Sequence, residues 1–339
     1  MPGRESTTAS SAILISVVVP TCGRMDLLDR CLDALTRQSL PGTAFEVIVV
    51  DDEPSHNTLH LVAGWRARTL ERGPRLVYLP NSNTHGPAAA RNLGWRSARA
   101  PIIAFTGEDT VPSCSWLAQG LAAFGDEVDV LCGRLDFSPR APLPGRETEA
   151  QRAARHAAID AFCVANCFCR KQLLESLDGF DERFEQAGHC DADLHFRLLA
   201  LGARIVSVPE ALVVQPVLPA PWGASLGRTR EAVFDALLYK KHPRLYRERI
   251  AATPPWDHYF AVAALVVAFG ALLAGAGTLA LLAGLAWLAL TTRLCLQRLR
   301  GTAHTASHIA DVVLTSALIP PLSVFWRLAG AIRYRVRFT

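Results

Sequence analysis

The chain has 339 residues, a net charge of +4, and hydrophobic residues at half of its positions. That length is enough to bury a full core in one large domain or two smaller ones. The hydrophobic excess sits mostly after Phe260, so the composition describes a soluble domain followed by a membrane part. No basic stripe interleaved with aromatics runs along the soluble part, which argues against a nucleic-acid partner. The nine cysteines include no Cys-x-x-Cys pair, so they read as buried thiols in a reducing compartment rather than a zinc site.

In chain order, residues 1–12 are small and polar and predict an unstructured tail. They carry no signal-peptide pattern, because the apolar run that follows is short and ends at Pro20. Residues 13–20 form a continuous β-branched run, the pattern of a buried parallel strand. A helix follows over 25–38, with Leu27, Leu28, Cys31, Leu32 and Leu35 on one face. Residues 45–50 predict a second buried strand, closed by Asp51-Asp52. The pattern continues with a helix at 58–70, a strand at 75–79, a helix at 87–98 with Pro87 near its start, and a strand at 101–105 closed by Thr106-Gly107-Glu108-Asp109. This alternation predicts an α/β fold with a mostly parallel sheet flanked by helices.

Residues 138–158 are rich in Pro and Arg and predict a mobile loop. Structure should resume near Ala161, with helices at 171–177 and 191–201, a strand at 205–208 and a helix at 231–241 stopped by His242-Pro243. Residues 260–290 hold no charged side chain. One helix of that length would be about 46 Å long, against a hydrocarbon core of about 30 Å. Segment 259–291 is therefore a single tilted span or a hairpin turning near Gly275-Ala276-Gly277. Arg293, Arg298 and Arg300 favour the hairpin, because basic residues gather on the cytoplasmic side. Segment 309–333 is apolar but holds Pro320-Pro321 and Arg327, and reads as a re-entrant or interfacial membrane segment. The soluble domain should then sit on the cytoplasmic face of the cell (inner) membrane.

Polar groups collect at the carboxyl ends of the predicted strands, where open α/β sheets bind ligands. Asp51-Asp52 can accept hydrogen bonds from a nucleobase or ribose, or serve as an ordinary helix cap. Glu108-Asp109 can hold a divalent cation through oxygen ligands, or form a polar loop. Asp191 and Asp193 open a predicted helix, where a carboxylate can be a general base or complement the helix dipole. Arg228 and Arg230 follow a glycine-bearing loop and suit phosphate oxygens, or a solvated basic patch.

Order and spacing add what no single motif supplies. Residues 15–24 (Ile-Ser-Val-Val-Val-Pro-Thr-Cys-Gly-Arg), 49–52 (Val-Val-Asp-Asp), 83–94 (Asn-Thr-His-Gly-Pro-Ala-Ala-Ala-Arg-Asn-Leu-Gly) and 179–194 (Gly-Phe-Asp-Glu-Arg-Phe running to Asp-Ala-Asp-Leu) stand in sequence. Over about residues 13–250 the chain resembles the family-2 inverting glycosyltransferases of GT-A fold. The resemblance implies a nucleotide-diphosphate sugar donor and a divalent metal, Mn2+ or Mg2+. It implies that Pro20, Thr21 and Asp52 line the base and ribose pocket, with Arg24, Asn83, Arg91 and Glu108 also on the donor. It implies Asp109 as the metal ligand and Asp191 as the base that deprotonates the acceptor.

Gly107 stands where many members have the first Asp of an Asp-x-Asp motif, and Cys190 where a Glu often precedes the catalytic Asp. No Gln-x-x-Arg-Trp motif of processive members is present, which favours transfer of one sugar. A membrane part suits a lipid-linked or envelope glycan acceptor. The alternative is a catalytically impaired nucleotide-sugar-binding protein on the same fold. A dinucleotide-binding oxidoreductase is disfavoured, because no Gly-x-Gly-x-x-Gly follows the first strand.

Overall fold

A computed structural model describes residues 12–137, 148, 162–216 and 221–338. The expected tail, apart from its last residue, and nearly all of the 138–158 loop lie outside these. The described residues divide into two compact units, the first holding 12–137 and 162–216 and the second 148 and 221–338.

The first unit is built on an eight-stranded mixed sheet of order β3-β2-β1-β4-β7-β6-β8-β5. Its parallel half comes from the β-branched runs. β1 (Ile15–Thr21) and β2 (Phe45–Asp51) are buried almost throughout, as strands covered on both faces must be. β3 (Arg75–Pro80) and β4 (Ile102–Thr106) pair outside them, both parallel. Thr21 lies opposite Asp51, and Asp51 opposite Pro80, so the carboxyl ends finish level.

Helices link these strands. α1 (Met25–Thr36) buries Leu27, Leu28, Cys31, Leu32 and Leu35, the face expected from its spacing. α2 (His56–Thr69) is capped by Ser55, whose Oγ accepts from the Thr58 N–H at 3.1 Å. α3 (Pro87–Ser97) starts with proline at its first turn. It lies so close to the sheet that a Cβ on Gly94 would sit 2.4 Å from Val18 Cγ1. At the opposite ends of the strands, Glu46 is fully buried. It accepts from Ser16 Oγ at 2.7 Å, Arg75 Nη1 at 2.7 Å and the Arg99 N–H at 2.8 Å.

The rest of the unit extends the sheet with mixed pairing. The additional elements are β5 (Val111–Pro112), α4 (Trp116–Ala123), β6 (Val130–Phe137), β7 (Asn166–Arg170), α5 (Lys171–Ser176), α6 (Ala187–Ala200) and β8 (Ile205–Gln215). β7 runs antiparallel between β4 and β6, and β6 pairs parallel with β8. α6 begins four residues before the expected start, after Gln186 in extended conformation. Asp191 therefore sits a full turn inside the helix rather than at its dipolar end.

The second unit is helical: α7 (Ala224–Thr229), α8 (Ala232–Lys241), α9 (Pro243–Arg249), α10 (Trp256–Leu273), α11 (Gly277–Leu299) and α12 (Ala306–Arg333). His242-Pro243 ends α8 as expected, and the proline then opens α9. α10 and α11 are joined by a tight turn at 274–276, where Gly275 takes φ +73°. α12 is a continuous helix with Pro320 and Pro321 inside it. Arg298 of α11 is buried and donates to Thr315 Oγ1 at 2.8 Å and Ser316 Oγ at 2.9 Å on α12. Gly330 lets α12 approach Val233 of α8. α10, α11 and α12 have 18, 23 and 28 residues and mean hydropathy of 1.6 to 1.8 in their most apolar windows. All three are long and apolar enough to cross a membrane.

Candidate active site

The carboxyl ends of β1, β2 and β4 bring the first group together. Glu108 is buried in the turn after β4. One of its carboxylate oxygens accepts from Thr21 Oγ1 and from the Cys22 N–H at 3.2 Å. The other accepts from Arg24 Nε at 2.7 Å. The same guanidinium reaches Asp109 Oδ2 at 3.4 Å, and Gln215 Nε2 donates to that oxygen at 3.2 Å. Both of these contacts to Asp109 fall on Oδ2, while Oδ1 faces Gly107. A Cβ on residue 107 would lie 2.7 Å from Oδ1, so glycine here leaves room for the Asp109 carboxylate.

Asp51 and Asp52 are adjacent but differ in surroundings. Asp51 is fully buried, and its Oδ2 accepts from the Ser55 N–H at 3.1 Å and from Tyr78 Oη at 2.9 Å. Burial, and then the Asp51 carboxylate, push the Tyr78 phenol up to about 12. Asp51 Oδ1 is buried with no hydrogen-bond partner among the described residues. Asp52 instead organises the loop after β3. Its carboxylate accepts from Asn81 Nδ2 at 2.7 Å and the Gly86 N–H at 2.8 Å, and its carbonyl lies 2.7 Å from His85 Nδ1. Asn83 is exposed on the same loop, and Pro20 is half-buried.

α3 connects this loop to a second group. Gly86 caps its start, and Arg91 lies on its second turn. Arg91 Nη1 is 2.7 Å from Asp191 Oδ1, and both residues are buried. The Val164 N–H donates to Asp191 Oδ2 at 3.2 Å. Cys190 Sγ lies 3.1 Å from Arg91 Nη1 and 3.4 Å from Asp191 Oδ1. Burial holds the Cys190 thiol far above its ordinary range, and pushes Cys163 up to about 11. A neutral S–H therefore stands beside Asp191 at neutral pH. Next to Arg91, Asn92 fastens the 179–182 segment. Its Nδ2 donates to the Phe180 carbonyl and to Glu182 Oε1, both at 2.8 Å, and its Oδ1 accepts from the Phe180 N–H at 2.9 Å and Trp95 Nε1 at 2.9 Å.

Thr21, Arg24, Glu108 and Asp109 thus form one cluster. Asp52 holds the adjoining loop, and Arg91 is bound to Asp191. Arg228 lies in the second unit, in the last turn of α7. Asn81, Gln215 and the Val164 N–H complete these groups and were not marked by the sequence. Only the Asp52–Asn81–Gly86 contacts are close in chain order to a recognised motif. Among the described residues no group of three or more His, Cys, Asp or Glu side chains is gathered for a metal ion.

Residues 16–172 match the family model described as glycosyl transferase family 2. The chain carries a family-2 glycosyltransferase domain. That glycosyltransferase domain contains the Thr21–Arg24–Glu108 cluster, Asp52 and Arg91. Among curated relatives, the chain is 27% identical over 205 residues to the glycosyltransferase AglE of Haloferax volcanii, covering 57% of this chain and 63% of that protein. It is 28% identical over 291 residues to a validoxylamine A glucosyltransferase of Streptomyces hygroscopicus subsp. jinggangensis, covering 73% and 64%. The chain thus spans just under two thirds of the length of these relatives. Among solved structures, it is similar to the mannosyltransferase PcManGT of Pyrobaculum calidifontis, itself in complex with GDP-Man and Mn2+. That likeness has a TM-score of 0.52 at 19% identity and covers 94% of this chain and 86% of that one. It agrees with the mixed sheet in giving the glycosyltransferase domain a GT-A-like α/β fold.

Proposed function

We propose that this chain is a membrane-anchored glycosyltransferase acting on a nucleotide-diphosphate sugar. It moves a single sugar to an acceptor hydroxyl, with inversion, in making a lipid-linked or cell-envelope glycan. The observation that carries this reading is the placement of two distinct acid groups by one short helix. Gly86 at the start of α3 holds Asp52, and Arg91, five residues on and about 7.5 Å along the axis, holds Asp191.

Thr21, Pro20 and Asp52 border the base and ribose, with Asn83 on the exposed loop beside them. Arg24 and Glu108 set the charge where the diphosphate lies. Asp109 suits a divalent cation. Its Oδ1 faces the space beside Gly107, whereas both oxygens of Glu108 are engaged. A single protein carboxylate is an adequate seat when substrate phosphates complete the coordination. When bound, Mn2+ or Mg2+ would neutralise the charge that develops on the departing diphosphate.

Asp191 accepts the acceptor's hydroxyl proton. The acceptor oxygen then bonds to the anomeric carbon from the face opposite the diphosphate, whose bond to that carbon breaks with the electron pair leaving on the phosphate. Arg91 Nη1, 2.7 Å from Asp191 Oδ1, holds that carboxylate in place. α10 and α11 form a membrane hairpin, and α12 lies in or across the bilayer. The arginines at 293–300 and 333–337 put the glycosyltransferase domain on the cytoplasmic side.

The decisive experiment offers the full chain a panel of nucleotide sugars with Mn2+ or Mg2+ and measures free nucleoside diphosphate. The expected result is release from one donor, abolished by Asp109→Ala. Asp191→Asn is expected to bind that donor normally and to lose transfer. Absence of both donor binding and turnover across the panel would overturn the enzymatic reading. Unchanged transfer in Asp191→Asn would remove that residue from the role of base.

A further inference from the structure

Three aromatic rings draw α8, α9 and the residues after α12 together. Phe338 is fully buried, with the ring centroids of Tyr239 on α8 at 5.3 Å and Tyr246 on α9 at 5.5 Å. The Arg327 guanidinium of α12 lies 4.1 Å from the centre of the Phe338 ring. Arg335 takes φ +50°, a left-handed conformation that ends a helix, so the chain turns back onto α8 and α9 just past α12. Lys240 Nζ holds that turn by donating to the Tyr334 carbonyl at 2.8 Å.

The side chains that this packing leaves outside are basic. Segments 240–250 and 333–338 carry eight Lys and Arg residues against one acid, Glu248. Glu248 is already engaged, 2.7 Å from Arg244 Nε. Lys240, Arg244, Arg249, Arg333, Arg335 and Arg337 are exposed. The two segments are about ninety positions apart in the chain, and only the fold makes one surface of them.

This surface lies at the foot of the apolar hairpin. Arg247 Nη1 donates to the Ala252 carbonyl at 3.4 Å, four residues before α10 opens with Trp256. On the membrane-anchoring reading above, which this inference rests on, Trp256 and Tyr259 mark the level of the lipid headgroups. Basic residues just outside that level act on the charge of the leaflet within a Debye length. A zwitterionic headgroup carries as much positive charge as negative and gains little there. An anionic headgroup brings negative charge with nothing to offset it. We propose that the face built by α8, α9 and residues 333–338 docks on anionic phospholipid and gathers it around the foot of the hairpin.

The test reconstitutes the full chain in nanodiscs of equal parts phosphatidylcholine, phosphatidylethanolamine and phosphatidylglycerol at low ionic strength. Native mass spectrometry then reads the lipids retained. Phosphatidylglycerol should be retained over both zwitterionic lipids, and the preference should vanish in about 1 M salt, where the Debye length is about 3 Å. Arg333→Gln with Arg335→Gln and Arg337→Gln should lower the ratio of retained phosphatidylglycerol to phosphatidylcholine by about tenfold, each basic residue near an anionic surface being worth up to about fivefold. Lysine at the same three positions should keep the ratio. Lys240→Gln with Arg244→Gln and Arg249→Gln should lower it similarly, and serves where circular dichroism shows the first variant unfolded. Arg66→Gln with Arg68→Gln and Arg72→Gln removes three exposed arginines of the first unit and should leave the ratio unchanged.

Equal retention of the three lipids overturns the proposal, as does a wild-type ratio in both variants of the basic face. An equal loss in the Arg66, Arg68 and Arg72 variant overturns it too, because net charge would then suffice. Each of these leaves the anchoring reading standing. A chain that does not enter nanodiscs overturns that reading, and this one with it.

Discussion

Arg91 is the buried partner of the proposed base. It is buried, 2.7 Å from Asp191, and shares its Nη1 with the Cys190 sulfur. Removing its charge leaves a buried carboxylate without that counter-ion, and the geometry of the pair is lost. On the proposed reading, Arg91→Gln should therefore lower the transfer rate by about tenfold or more, while the donor KM changes little. An unchanged transfer rate with a raised donor KM would move Arg91 from the proposed base to the donor.

Cys190 takes part differently from the Glu common at its position in the family. Its thiol stays protonated, so Asp191 has one carboxylate fewer beside it. The acids at 52, 108 and 109 stood out because they close apolar strands, whereas Asp191 stood out through the family resemblance, its helix starting four residues earlier than expected. Their partners did not. Arg91 and Asp191 are 100 positions apart, and Gln215 and Asp109 are 106 apart. No local pattern encodes such meetings.

Among the elements, the parallel strands were the plainest to read. β1, β2 and β4 are continuous apolar runs because both of their faces are covered. β6 and β7 escaped notice for a different reason. β7 has five residues, two of them cysteines, and β6 passes from buried to exposed along its length. Their burial comes from their neighbours in the sheet rather than from a pattern of their own. The Pro320-Pro321 pair suggested a break, yet α12 continues through it. Its packing on α8 and its bonds to Arg298 hold both flanks. Glu46 shows what a buried acid does when it is structural. It lies at the amino ends of the strands, away from the site, with three donors on its carboxylate. Glu46→Ala should cost about 3 kcal/mol in denaturant unfolding, with the donor KM of the folded fraction unchanged. A loss below about 0.5 kcal/mol, the level of an ordinary surface change, would contradict that role.

At the scale of the whole molecule, a domain with the family-2 signature is followed by a unit whose three longest helices are apolar enough to cross a bilayer. The α10–α11 turn at 274–276 returns the chain to the side it left. A reporter fused after Arg300 should therefore read as cytoplasmic, and an outside signal would invert the proposed topology. The helix that joins the two acid groups has a further consequence, for the spacing of the chain itself. Between Gly86 and Arg91, α3 works as a ruler with an angular scale. One residue inserted there would turn Arg91 by about 100° around the axis and lengthen the gap by about 1.5 Å, swinging the guanidinium off Asp191. An insertion of the same size in an exposed loop such as 53–54 carries no such phase. The interval from Gly86 to Arg91 is thus a stretch where substitution is tolerable at some positions but a change in length is not.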